Sequence, residues 1–179
     1  MNQSTDNIDF VHTNWRANFL RITLMVACVF GLAALIPGIT TAAAPIYAAI
    51  YIALYIALLL ITFINFPHSI KAGMLIALIF LLGFSGLLET GIWGDSRVFM
   101  LGAITMASLL FSWRAGWVIT GLTMLSYFVI GWLVLSGSMT ITEPSVPEGD
   151  IRIWASGSTA VLLLAVLIIN GIRLTQNEF

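Results

Sequence analysis

Six runs of apolar residues, most of them about 20 long and divided by short polar breaks, recur along this chain at residues 19–36, 46–66, 72–90, 98–111, 115–135 and 154–172. At a rise of about 1.5 Å per helical residue, 20 residues span the roughly 30 Å hydrocarbon layer of a bilayer. Of the 179 residues, 60% are hydrophobic and only 8% charged, and the mean hydropathy is +1.03. A soluble domain of this size could not bury so much apolar surface. The expected fold is therefore all-α: an integral membrane bundle of about six transmembrane helices.

Prolines and glycines punctuate the runs. Pro37-Gly38 and Pro45 mark the break after the first run, and residues 67–71 form a very short turn after the second. The fourth run is the shortest. It is read as a full span rather than a re-entrant segment because Ser112-Trp-Arg114 leaves room only for a tight turn into the fifth. The domain plan is an N-terminal cytoplasmic or interfacial segment (1–18), a six-helix transmembrane domain (19–172) and the cytoplasmic start of a linker (173–179). The first run lacks a small-residue cleavage site, so it reads as a retained helix. Trp15 and Phe19, with Phe10 and Val11, suggest a short helix lying on the inner membrane surface before it.

Positive residues are held on the cytoplasmic side. With six spans the two termini share a side, and that side carries Arg16, Arg21, Lys71, Arg114 and Arg173. The other side has Arg97 and Arg152, set among Asp95, Glu143, Glu148 and Asp150. Both termini are expected in the cytoplasm, with the chain multi-pass in its membrane.

Within the second run Tyr47, Tyr51 and Tyr55 recur every fourth residue and share one helix face, while Ala49, Ala53 and Ala57 make another. The alanine face suits close helix packing. In the fifth run Gly116, Thr120, Thr123 and Tyr127 form a comparable stripe. Helix packing explains both stripes, and the candidate functional reading makes Tyr47, Tyr51, Tyr55, Thr120, Thr123 and Tyr127 the lining of a small ligand pocket. Trp93, Trp113, Trp117, Trp132 and Trp154 fall near span ends, where indoles favour the headgroup region.

Catalytic motifs are sparse. Gly83-Phe-Ser-Gly86 has the GxSG pattern of rhomboid-type intramembrane serine proteases, but a serine nucleophile needs an imidazole within hydrogen-bond reach. The chain has two histidines, His12 and His68. The second precedes Ser85 by roughly 25 Å of helix and begins at the opposite membrane surface. No phosphate loop, dinucleotide turn or metal-ligand spacing occurs, so no cofactor, metal or enzymatic activity is expected. With no basic tract, no nucleic-acid partner is expected either. The single cysteine, Cys28, lies inside the first run and has nothing to pair with.

Ser85-Gly-Leu-Leu-Glu89-Thr-Gly-Ile-Trp93-Gly-Asp95-Ser-Arg97-Val-Phe99 is the informative segment. It places two carboxylates and an arginine at one membrane edge, where charge is costly unless paired or hydrated. Glu89, Trp93, Asp95 and Arg97 are the candidate polar cluster. It serves either as a structural ion pair closing a turn, with Glu89 facing Arg97, or as the floor of a ligand site.

That segment, with Ser112-Trp-Arg-Ala-Gly116 and Gly131-Trp132, resembles the N-terminal multi-span membrane domains of bacterial sensor histidine kinases over roughly residues 16–173. The resemblance implies a signal-input module that is homodimeric and feeds a cytoplasmic signalling module in cis or in trans. The 179 residues include no phospho-accepting or ATP-binding region, so the expected role is sensory input. The rival readings are a small membrane transporter or channel, and a structural assembly subunit.

Overall fold

The computed structural model describes residues 3–42, 44–92, 94–141 and 150–177. They form six helices: α1 (Gln3–Thr40), α2 (Pro45–Phe63), α3 (His68–Thr90), α4 (Ser96–Leu110), α5 (Trp113–Leu135) and α6 (Ile151–Asn177). Among the described residues there is no strand. Five of the helices are long and apolar enough to cross a membrane, and α4, at 15 residues, is shorter.

Neighbouring helices run antiparallel, and the pairing can be followed residue by residue. Gly86 lies near Ser96 and Gly83 near Met100, while Ala72 and Leu75 cluster with Leu110, so α4 descends the length of α3. It returns as α5, with Gly116 against Ser108 and Thr123 against Met100. A re-entrant segment would not pair in this way along both neighbours, and the six-helix arrangement stands. The start of α1, the end of α6 and residues 64–67 and 111–112 lie at one end, the terminal end. Residues 41–42, 44, 91–92, 94–95, 136–141 and 150 lie at the other, the loop end.

α4 is central, packed on α3, α5 and α6, with Ala103, Ile104 and Ser108 wholly buried. α1 and α2 are peripheral: only 6% of their spanning windows is buried, against 33% for α3. In lipid, apolarity does not drive helices together, so close approach must come from small residues and interhelical hydrogen bonds. A Cβ added at Gly131 would stand 2.9 Å from the Trp154 ring, and one at Gly157 2.8 Å from Ile92. These glycines let α6 seat against α5 and against the α3–α4 turn.

The structure alters four expectations. Pro37 does not end the first helix, which continues to Thr40. Thr40 Oγ1 donates to the carbonyls of Ile36 and Pro37, at 3.1 and 3.0 Å, and Thr41 Oγ1 donates to Pro37 at 2.8 Å, satisfying groups at the helix end that lipid cannot. No separate interfacial helix precedes the span, because α1 is unbroken from Gln3. Trp15 nevertheless stacks on Phe19 with ring centroids 5.6 Å apart. On α2 the packing face is the tyrosine face, for Ala49 and Ala53 are exposed. Finally, Trp154 is buried against Gly131 rather than set in a headgroup belt.

Candidate functional site

The loop end gathers the polar side chains. Gly91 closes α3 at φ 77°, a left-handed conformation that glycine adopts without strain, and turns the chain toward α4. Ser96, fully buried at the start of α4, donates to the Gly91 carbonyl at 3.2 Å and ties the turn shut. Thr90 Oγ1 donates back to Gly86 at 2.9 Å.

Glu89 sits in the last turn of α3 and is 6% exposed. A negative charge is disfavoured at a helix C-terminus, where the carbonyls already point outward. The donor comes from α2: the Tyr51 hydroxyl hydrogen-bonds to Glu89 Oε2. One turn earlier, Tyr47 donates to the Leu88 carbonyl at 3.4 Å, one of the four that a helix end leaves without an intrahelical donor. Asp95, exposed, is within electrostatic reach of Tyr51. Arg97, in the first turn of α4, breaks the dipole preference in the opposite sense, and it lies within electrostatic reach of Tyr127. Trp93 falls outside the described residues.

The two sequence stripes part company here. The tyrosines of α2 face α1 and α3, and Tyr55 donates to the Cys28 carbonyl at 3.3 Å. The stripe on α5 faces α4: Gly116 lies against Ser108 and Thr123 lies 3.7 Å from the Met100 sulfur, while Thr120 donates to Gly116 at 2.9 Å within its own helix. Tyr127 is 2% exposed, and its hydroxyl has no hydrogen-bond partner among the described residues. The six residues therefore line three helix interfaces, α1–α2, α2–α3 and α4–α5, and Tyr47, Tyr51 and Tyr127 are the ones that reach the polar layer at the loop end.

Sequence reasoning set the tyrosine stripe and Glu89 in separate groups and so missed their contact. The available signal was the four-residue connection between α2 and α3, which fixes their antiparallel register and brings Tyr47 and Tyr51 opposite the end of α3. It also missed Ser96 and Ser108, both fully buried.

Chemically, the layer offers a carboxylate held by a phenol, a guanidinium and a buried phenol with an unused hydroxyl. These are hydrogen-bonding and charge-sensing groups. Ser85 spends its hydroxyl on the Leu82 carbonyl, at 2.9 Å, within its own helix, and His68 begins α3 at the other end of the bundle. Among the described residues no three His, Cys, Asp or Glu side chains converge on a metal position.

No curated protein and no solved structure is similar enough to this chain to count as a match. A family model, MASE11, matches residues 14–176. That match takes in all of α2 to α5, the polar layer at the loop end and nearly all of α6, and MASE domains are membrane-associated sensory domains. The chain belongs to the MASE11 family.

Proposed function

We propose that this chain is the input domain of a bacterial inner-membrane sensor. It works as a homodimer and passes a stimulus received at its loop end to a cytoplasmic signalling module, such as a histidine kinase, joined in cis or acting in trans. Its own part is to bind or respond, and any catalysis belongs to the output module.

The observation that carries this reading is the course of α6. One unbroken helix of 27 residues, about 40 Å long, touches the bundle at every depth. Trp154 packs on Gly131, and Gly157 packs on Ile92 inside the α3–α4 turn. Farther along, Ala165 and Ile169 pack on Ile104, and the Arg173 guanidinium lies 5.0 Å from the Trp113 ring centroid. Beyond that the helix emerges, with Leu174 and Thr175 exposed. A rearrangement of the polar turn has a direct mechanical route, through Ile92, to the terminal end. A packed helix of this kind moves as a unit between discrete positions.

The test fuses a two-helix cytoplasmic kinase after Phe179 and inserts one, two or three residues after Leu174. Each insertion rotates the output helix by about 100°, so kinase output should rise and fall across the series. Output that stays flat would remove the sensor reading.

A further inference from the structure

α3, α4 and α5 enclose a groove that the polar layer does not use. It holds about 520 Å³, within the roughly 300–1,000 Å³ of small-molecule sites. Gly73, Ala77 and Leu81 form one wall, Ala107 the floor, and Val118 and Leu122 the other wall. α4 is set back against α6 through Ile104, which leaves α3 and α5 standing apart above it. Nothing lies within 4 Å of where a Cβ at Gly73 would sit, so the groove is open along its side.

Its mouth is charged. Arg114, exposed, stands one helical turn before Val118 and two before Leu122 on the same face of α5. Ser69, also exposed, stands one turn before Gly73 on the opposite wall. Among the described side chains, Arg21, Lys71, Arg114 and Arg173 are at this terminal end. The described carboxylates, Glu89, Asp95 and Asp150, are all at the loop end. Lys71 is occupied with the Thr62 carbonyl at 3.4 Å. Arg114 rests beside the Trp113 ring, 5.5 Å from its centroid.

We propose that the groove is a lipid site: it takes an acyl chain of an anionic glycerophospholipid, whose phosphate is held by Arg114. The walls are apolar and the charge of Arg114 at the terminal end of one of them is positive, which matches a lipid with a hydrocarbon tail and a negative head. A second copy of the chain fits less well. A two-fold dimer on this face would set Arg114 against its own counterpart at the same depth, and like charges so placed oppose association. This site stands apart from the loop-end layer and does not depend on the sensor reading.

The test is native mass spectrometry of the full chain, released from nanodiscs of equal phosphatidylglycerol and phosphatidylcholine. The wild type should retain phosphatidylglycerol in preference. Arg114→Gln should cut that preference about fivefold, the contribution of one basic residue at an anionic surface, and Arg114→Lys should restore most of it. Arg21→Gln, on peripheral α1, should leave it unchanged. Ala77→Trp and Val118→Trp, which fill the groove from opposite walls, should shed the retained lipid while melting like the wild type. The proposal is overturned if the wild type shows no preference, if Arg114→Gln does not change it, or if Arg21→Gln lowers it as much. It is equally overturned if the filled variants lose a dimer instead of a lipid. Should neither filled variant fold, the Arg114 and Arg21 variants decide alone.

Discussion

Glu89 occupies a position that helix electrostatics and the surrounding lipid both disfavour, and Arg97 does the same at the start of the next helix. A turn that breaks the same local rule twice with opposite charges is where stability has given way to another requirement. Tyr51 offsets part of the cost by donating to the carboxylate. Removing that donor leaves a buried acceptor short of a partner, so Tyr51→Phe should destabilise the protein by about 1–2 kcal/mol, seen as a lower melting temperature in detergent. Tyr51→Phe combined with Glu89→Gln should fall short of the summed losses by about 1 kcal/mol. A second cycle tests the ion pair expected from the sequence. Glu89→Gln and Arg97→Gln should each lower the melting temperature, with the double variant less damaged than the sum, because an isolated charge costs more than a removed pair. Strict additivity in either cycle would show that its two residues do not interact.

At the scale of the helix, the informative contrast lies within α5. Gly131 faces the Trp154 ring, whereas Gly121 has nothing within 4 Å of an added Cβ. Gly131→Ala should therefore force α5 and α6 apart, cost about 1–3 kcal/mol and shift the tryptophan fluorescence. Gly121→Ala should change neither, and equal effects at both sites would discount the contact. The contrast also explains what the sequence disclosed. The long helices were legible because the hydrocarbon thickness sets their length. Which face packs was less legible, since in lipid an alanine or leucine face is equally at home outside or inside. Polar side chains break that tie. The tyrosines of α2 and the Thr120, Thr123 and Tyr127 stripe of α5 both turn inward, whereas Ala49 and Ala53 look out. Pro37 misled because a proline that ends a helix in water can be carried near a helix end in lipid, where only the Ala33 carbonyl loses its usual donor and the helix runs on to Thr40. The polar residues at the loop end could be named from sequence, but their partners could not, because the Tyr51–Glu89 contact depends on how α2 leans on α3.

For the molecule as a whole, the even number of antiparallel helices puts α1's start and α6's end at the same end of the bundle. In the orientation we propose from the bias of arginine and lysine, that end faces the cytoplasm. In a Cys28→Ala background, single cysteines at Asp95 and Arg97 should react with an impermeant thiol reagent from outside. Cysteines at Arg114 and Thr175 should react only after the membrane is opened, and outside labelling at 175 would invert the proposed orientation. The length of α1 has a consequence of its own. At 38 residues it measures about 57 Å, almost twice the hydrocarbon thickness. Its first 15 or so residues, ahead of the apolar stretch that begins at Asn18, therefore extend past the hydrocarbon layer as the arm of a lever whose fulcrum is the membrane surface. Helices answer changes in bilayer thickness by tilting. A tilt of about 10° swings the tip of an arm of roughly 22 Å through about 4 Å. That is the scale at which two neighbouring helices gain or lose a contact.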